Sequence, residues 1–209
     1  MPKTLSDYIR ILLGLVYLLN GTNWFFKIIT PYPSMSDFVD YLPPPDIVGA
    51  MIENGMMFHL AKAIEVVTGL ALLSNRLVPL ALVVAMTVTV PVFLVDVFSH
   101  SFRVRAFLMG SGSLVLNCTL LAAFYHHYRP MMAWQAQPQA DPAVAHAAEG
   151  GAIADSFGHV LRLAFKPLQW LSALMGTVMV VWLLVMVAQY AADPKAIGEV
   201  REMTRRPSH

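Results

Sequence analysis

Five apolar segments, each long enough to cross a lipid bilayer, constrain the fold of this chain more than any other feature of its sequence. An α-helix rises about 1.5 Å per residue, so about 20 apolar residues span the roughly 30 Å hydrocarbon core of a membrane. The segments are Tyr8–Ile29, Gly55–Leu73, Leu77–Phe98, Val104–Tyr125 and Leu168–Tyr190. The sequence therefore predicts an all-α, multi-pass membrane protein.

Composition agrees with this prediction and excludes other classes. Hydrophobic residues make up 57% of the chain and charged residues 13%, whereas a soluble domain carries about 25% charged residues. The formal net charge is +1 without a basic stripe, so nucleic acid is not an expected partner. Cys118 is the only cysteine, which excludes an internal disulfide and a cysteine-based metal site.

The connections divide the chain into parts. Only short polar stretches join the second, third and fourth segments, which predicts antiparallel neighbours packed with the first segment. We predict a transmembrane four-helix bundle at residues 1–130 and a flexible linker at residues 131–157, rich in Ala, Gln, Pro and Gly. A C-terminal fifth hydrophobic helix, transmembrane or membrane-docked, follows at residues 158–192. A polar tail occupies residues 193–209.

Charge gives an incomplete guide to orientation. Lys3 and Arg10 place the N-terminus in the cytoplasm by the positive-inside rule. Arg103 and Arg105 then lie outside, against the rule. Five crossings would also place the C-terminal arginines outside, whereas a re-entrant or docked fifth helix would not, and both arrangements stay open.

Polar residues inside the first two segments mark a candidate site, because an ionisable side chain at membrane depth is costly. On each helix they recur at spacings of three or four and share a face. This candidate intramembrane polar pocket comprises Asn20, Asn23, Lys27, His59, Lys62 and Glu65. In the structural interpretation, Lys62 and Glu65 neutralise each other and the amides join helices. In the functional interpretation, the pocket accepts protons or faces a quinone.

A second group of charges follows the third segment. This interfacial charge cluster comprises Asp96, His100, Arg103 and Arg105. It offers too few ligands for a metal ion, and interfacial charges generally face water. We predict no metal site.

The segments RILLGLVYLLNGTNWFF and FHLAKAIEVVTGLALLSNRLVPLALVV, with YHHYRP at the end of the fourth, resemble the DoxX and DoxX-like integral membrane protein family. The resemblance covers Ser6 to Arg129. Its most specific part is Lys62 and Glu65, followed by Gly69 and Pro79.

The resemblance implies a compact four-helix bundle in the bacterial inner (plasma) membrane. It also implies an architecture related to the small subunit of thiosulfate:quinone oxidoreductase, among relatives that act mostly as membrane subunits or accessory partners. The chain departs from the four-helix pattern from Gln135 onward, so transfer of a specific activity does not follow.

The leading hypothesis is an accessory membrane subunit that packs against partner membrane proteins in a quinone-linked respiratory or redox assembly and is not catalytic on its own. The expected partners are the lipid bilayer and other membrane protein subunits. No cofactor is assigned, and quinone is the candidate. One alternative is a quinone-binding oxidoreductase membrane subunit. Another is a small-molecule or proton-coupled transporter, although the chain shows no inverted repeat.

Overall fold

A computed structural model describes residues 4–26, 56–98, 104–128 and 152–192, with the backbone alone at 104–106, 152–163 and 190. Every regular element in these ranges is helical. The helices are α1 (Leu5–Phe26), α2 (Met56–Leu73), α3 (Val78–Val97), α4 (Val104–Ala123), the single turn α5 (Tyr125–Tyr128) and α6 (Ala152–Ala192). The predicted all-α class is confirmed.

Four of the described helices are long and apolar enough to cross a membrane. These spans are Leu5–Phe26, Met56–Leu73, Val78–Val97 and Ala164–Gln189. A shorter apolar helix, Phe107–Ala123, belongs to α4. The predicted membrane bundle with a further hydrophobic helix is therefore confirmed.

Helix α1 lies at the centre of the bundle, where it packs against α2, α4 and α6. Helix α3 packs against α2 and α4. The fully buried apolar side chains come from all five long helices: Ile9, Leu13, Leu72, Leu82, Leu116, Leu120 and Met179. Helix α6 thus completes the core, a closer association than an appended fifth helix would have.

Contacts between helices fix their directions. A β-carbon added at Gly14 would meet Leu73, whereas one added at Gly21 would meet Val66, so α1 and α2 are antiparallel. Their backbones nearly touch at Gly69, where a β-carbon would lie 2.8 Å from the backbone nitrogen of Leu18. Small residues allow such close approach inside membranes.

Helix α6 runs parallel to α1 and antiparallel to α4. Near the start of its membrane span Gln169 donates to Ser6, and further along Gly176 contacts Leu12 of α1. The N-terminus of α1, the α2–α3 turn and the start of the membrane span of α6 therefore share one end of the bundle, here called the hairpin end. The end of α1 and the start of α2 lie at the other end, the loop end.

The turn between α2 and α3 is a Schellman motif. The backbone N–H of Asn75 bonds the Leu72 carbonyl at 3.2 Å, and that of Arg76 bonds the Ala71 carbonyl at 3.0 Å. Asn75 has a φ of 56°, a left-handed conformation that asparagine tolerates better than most residues. This motif reverses the chain within the short connection.

The start of α6 differs from the predicted boundary. The helix begins at Ala152, within the stretch assigned to the linker, and contains Pro167. The remainder of the linker and the polar tail lie outside the described residues, so their predicted character stays a prediction.

Candidate functional site

An ion pair inside α2 forms the centre of the candidate pocket. The ammonium of Lys62 donates to both carboxylate oxygens of Glu65, at 2.8 and 3.0 Å. The two side chains are only 7% and 4% exposed. Because isolated charges are strongly unfavourable in an apolar interior, the pairing lowers the cost of burying the two residues there.

Asn20 connects this pair to α1. Its side-chain amide nitrogen donates to Glu65 Oε2 at 2.9 Å, so the carboxylate joins two helices. Asn23, one turn further along α1, is also buried. Lys27 lies outside the described residues.

Aromatic rings border the ion pair on its loop-end side. The ring of Trp24 lies 4.4 Å from that of Phe58 and meets His59 edge-on at 5.5 Å, measured between centroids. The His59 ring also lies 6.0 Å from that of Phe25, and His59 is exposed. We call Trp24, Phe25, Phe58 and His59 the aromatic rim.

A second buried polar group joins α1, α3 and α4. The hydroxyls of Tyr17 and Thr89 are 2.6 Å apart. Thr89 donates to the Ala85 carbonyl, so Tyr17 is the donor to Thr89. Asn117 completes the group by donating to the Tyr17 hydroxyl at 3.3 Å.

This second group was absent from the sequence analysis. Asn117 is completely buried, and within the described part of the chain its Oδ1 has no hydrogen-bond partner. The position of Asn117 inside an apolar segment could have indicated a buried polar group from the sequence alone. The Tyr17 and Thr89 partners were not recognisable, because tyrosine and threonine also occur in ordinary packing.

Arg10 has a structural role that the sequence did not indicate. Its guanidinium is buried, donates to the Leu72 carbonyl at the end of α2 and lies 3.7 Å from the Asp7 carboxylate. A cation is favourable at a helix C-terminus, where the last carbonyls lack helical partners. Arg10 therefore ties α1 to the end of α2.

The interfacial charge cluster is described only in part. Asp96 lies where α3 meets α4, since a β-carbon on Gly110 would be 2.7 Å from that of Asp96. His100 and Arg103 lie outside the described residues, and Arg105 is placed only as backbone in α4. Within the described ranges, no group of three His, Cys, Asp or Glu side chains is arranged to hold a metal ion.

Polar contacts also attach α6 to the bundle. The hydroxyls of Thr119 and Ser172 lie 2.6 Å apart, and those of Tyr8 and Thr177 lie 3.0 Å apart. Gln169 donates to Ser6 at 2.8 Å. These pairs fix the position of α6 against both α4 and α1.

A sequence model of the DoxX family matches residues 6–97. Residues 6–97 are therefore a DoxX-family segment. The match contains α1, α2 and α3, and with them Asn20, Lys62 and Glu65, whereas α4 and α6 lie beyond it.

The apolar helices and the DoxX segment together show a multi-pass membrane protein. No curated protein and no solved structure matches the chain. Its function must therefore be inferred from its own residues.

Proposed function

We propose that this protein is an accessory subunit of a larger assembly in the bacterial inner membrane, and that it is not catalytic on its own. The observation that carries the proposal is that both oxygens of the Glu65 carboxylate already have hydrogen-bond donors within the chain. Both oxygens of Glu65 accept hydrogen bonds from Lys62 or Asn20. A carboxylate held in this way joins α1 to α2 and is poorly suited to exchanging protons with a substrate.

The outward face of α6 is the surface we assign to the partner subunit. Large apolar side chains on this face are exposed, among them Val178, Val181, Trp182 and Val185. Van der Waals packing between helices drives their association within membranes, so a partner helix could pack against this face in place of lipid. The opposite face of α6 is used within the chain, so partner binding would not require α6 to leave the bundle.

Purification of the tagged protein from its native membrane in a mild detergent tests this proposal. We expect a partner membrane protein in stoichiometric amount, identified by mass spectrometry. Trp182→Ala should reduce the recovered partner, whereas Val83→Ala, an exposed position on α3, should not. Recovery of a lone monomer under conditions that preserve other membrane complexes would contradict the proposal.

The aromatic rim favours a second candidate function, in which a quinone binds beside the ion pair. A quinone ring can stack on aromatic side chains, and its carbonyl oxygens accept hydrogen bonds. Trp24 and Phe58 supply the rings, and Lys62 Nζ lies 5.5 Å from the centroid of the Phe58 ring. This arrangement would make the chain the quinone-contacting subunit of a redox assembly.

Extraction of quinone from the purified protein tests the second candidate. Trp24→Leu and His59→Leu alter the rim but leave Lys62 and Glu65 in place, so we expect them to lower bound quinone while the fold persists. Glu65→Gln and Lys62→Met should abolish quinone-dependent activity of the assembly. Unchanged quinone content in both rim variants would exclude quinone binding here and leave the accessory-subunit proposal intact.

A further inference from the structure

An apolar groove runs between α1 and α6 near the hairpin end. Its lining residues are Leu5, Tyr8, Trp170, Ala173, Leu174 and Thr177. Trp170 is 70% exposed and Leu174 is 64% exposed, so the groove opens outward from the bundle. The buried Ala173 lies among its lining residues and has only a methyl side chain.

The groove presents carbon atoms along most of its length. The two hydroxyls in its lining, those of Tyr8 and Thr177, bond each other at 3.0 Å. Neither hydroxyl therefore requires a polar ligand. A long hydrocarbon chain is the ligand that matches such a lining.

The positive charge of Lys166 lies beyond the hairpin-end side of the groove. Lys166 is exposed and lies one helical turn before Trp170, on the same face of α6. Side chains on a helix lean toward its N-terminus, so the ammonium extends away from the apolar lining toward the hairpin end. The hydrogen bond between Gln169 and Ser6 marks the same level, close to where the membrane span of α6 begins.

We propose that this groove binds a glycerophospholipid with a net negative head group. One acyl chain lies along the groove, and the phosphate pairs with the ammonium of Lys166. The apolar groove lies within the bilayer and matches the acyl chain of a phospholipid. The cation lies near the head-group level and matches the phosphate. Trp170 at this level agrees with the preference of tryptophan for the membrane interface.

Native mass spectrometry tests the proposal on the full chain. The protein is reconstituted into vesicles of equal parts phosphatidylglycerol and phosphatidylcholine, then extracted in mild detergent. We expect one retained phosphatidylglycerol per chain and a reduction of about tenfold in Lys166→Gln, as for the loss of one charge-assisted contact. Because Lys166 is exposed, this variant should fold normally.

Arg76→Gln is the matched control, since Arg76 is an exposed cation in the α2–α3 turn at the same end. It should retain the lipid as the unaltered protein does. Equal loss in both variants would show a general attraction between basic residues and lipid and would overturn the site. Equal retention of phosphatidylcholine, or full retention in Lys166→Gln, would also overturn it.

Fluorescence of Trp170 gives an independent measurement in intact vesicles. In a chain carrying Trp24→Phe, Trp134→Phe and Trp182→Phe, Trp170 is the remaining tryptophan. We expect brominated phosphatidylglycerol to quench it at a lower mole fraction than brominated phosphatidylcholine, and Lys166→Gln to remove the difference. Identical quenching by both lipids in the presence of Lys166 would refute the selectivity.

Discussion

At Glu65, one carboxylate accepts hydrogen bonds from the ammonium of Lys62 and from the amide of Asn20. Removing either charge leaves the other without its counter-ion in a buried position. Replacing both with apolar residues leaves no unpaired charge, and only the Asn20 amide then loses its acceptor. The energetic role of the pair is therefore visible only when single and double variants are compared.

We predict that Lys62→Met and Glu65→Leu each lower the free energy of unfolding by about 3–5 kcal/mol, the cost of breaking a buried pair. The double variant Lys62→Met with Glu65→Leu should be near the stability of the unaltered protein. Denaturant titration in detergent micelles measures all three. Additive losses in the double variant would show that the two charges do not stabilise each other.

Tyr128 provides a prediction about alkaline pH. Its hydroxyl donates to the Pro79 carbonyl at 2.7 Å, and partial burial raises its pKa to about 12 from the usual 10.0. The folded state thus disfavours the phenolate more than the unfolded state does. The resulting stabilisation is fully present below pH 10.0 and is lost as the pH rises toward about 12.

We therefore expect the melting temperature in detergent to decline between pH 10 and pH 12, more steeply in the unaltered protein than in Tyr128→Phe. The phenylalanine variant lacks the ionisable group but keeps the ring. The comparison removes the contributions of lysines and other tyrosines, which both proteins share. Parallel declines would show that Tyr128 does not contribute.

Spacing along one helix was sufficient to predict which residues share a face. It placed Lys62 and Glu65 together and anticipated the stripe containing Asn20, and the structure brings these three into contact. The group of Tyr17, Thr89 and Asn117 depends on how three separate helices are rotated toward one another. The rotation of each helix about its own axis cannot be predicted from a single sequence.

At the scale of whole helices, the contact between α1 and α2 depends on glycine. A β-carbon at Gly69 would lie 2.8 Å from the backbone nitrogen of Leu18 and 2.9 Å from the Gly14 carbonyl oxygen. Backbone atoms cannot turn aside as a flexible side chain can. The two helices would have to separate to accept any side chain at this position.

We predict that Gly69→Val destabilises the protein by at least about 1–3 kcal/mol, the usual cost of overpacking. Separation of α1 from α2 should also lengthen the bond between Asn20 and Glu65. Leu70→Val is the control, because Leu70 is the next residue and is exposed. Thermal unfolding of both variants in the same detergent gives the comparison, and equal midpoints would argue against the close approach.

The position of α6 could not be predicted from its sequence. Its membrane segment is apolar on nearly all sides, so periodicity does not reveal which face is buried. A long stretch of sequence also separates α6 from α4, so the expectation that helices joined by short connections pack side by side, which applied to α2, α3 and α4, does not apply to α6. The small residues Ser172 and Gly176 are at the contact, but small residues also occur elsewhere in the chain.

For the molecule as a whole, the parallel arrangement of α1 and α6 determines membrane topology. Ser6 and Gln169 lie at the same end, and both helices are long enough to cross. We therefore expect the residues before α1 and those after α6 to face opposite sides of the membrane. This supports five crossings over the re-entrant alternative.

We expect reporters fused before Leu5 and after Ala192 to give opposite compartment signals, with the first cytoplasmic by the positive-inside rule. A reporter placed after Tyr128, where α5 ends at the hairpin end, should match the first and serves as the internal control. The same compartment for both outer fusions would contradict five crossings.

Helix α6 completes the core of the described residues, since Met179 and Leu183 of α6 are buried against helices that precede it in the chain. During synthesis, α1 to α4 leave the ribosome first and wait with Ser6, Tyr8 and Thr119 still lacking their α6 partners. A polar group without a hydrogen-bond partner is costly in the hydrocarbon region of a bilayer. We therefore expect a fragment that ends before α6 to be less stable in the membrane than a chain that contains α6.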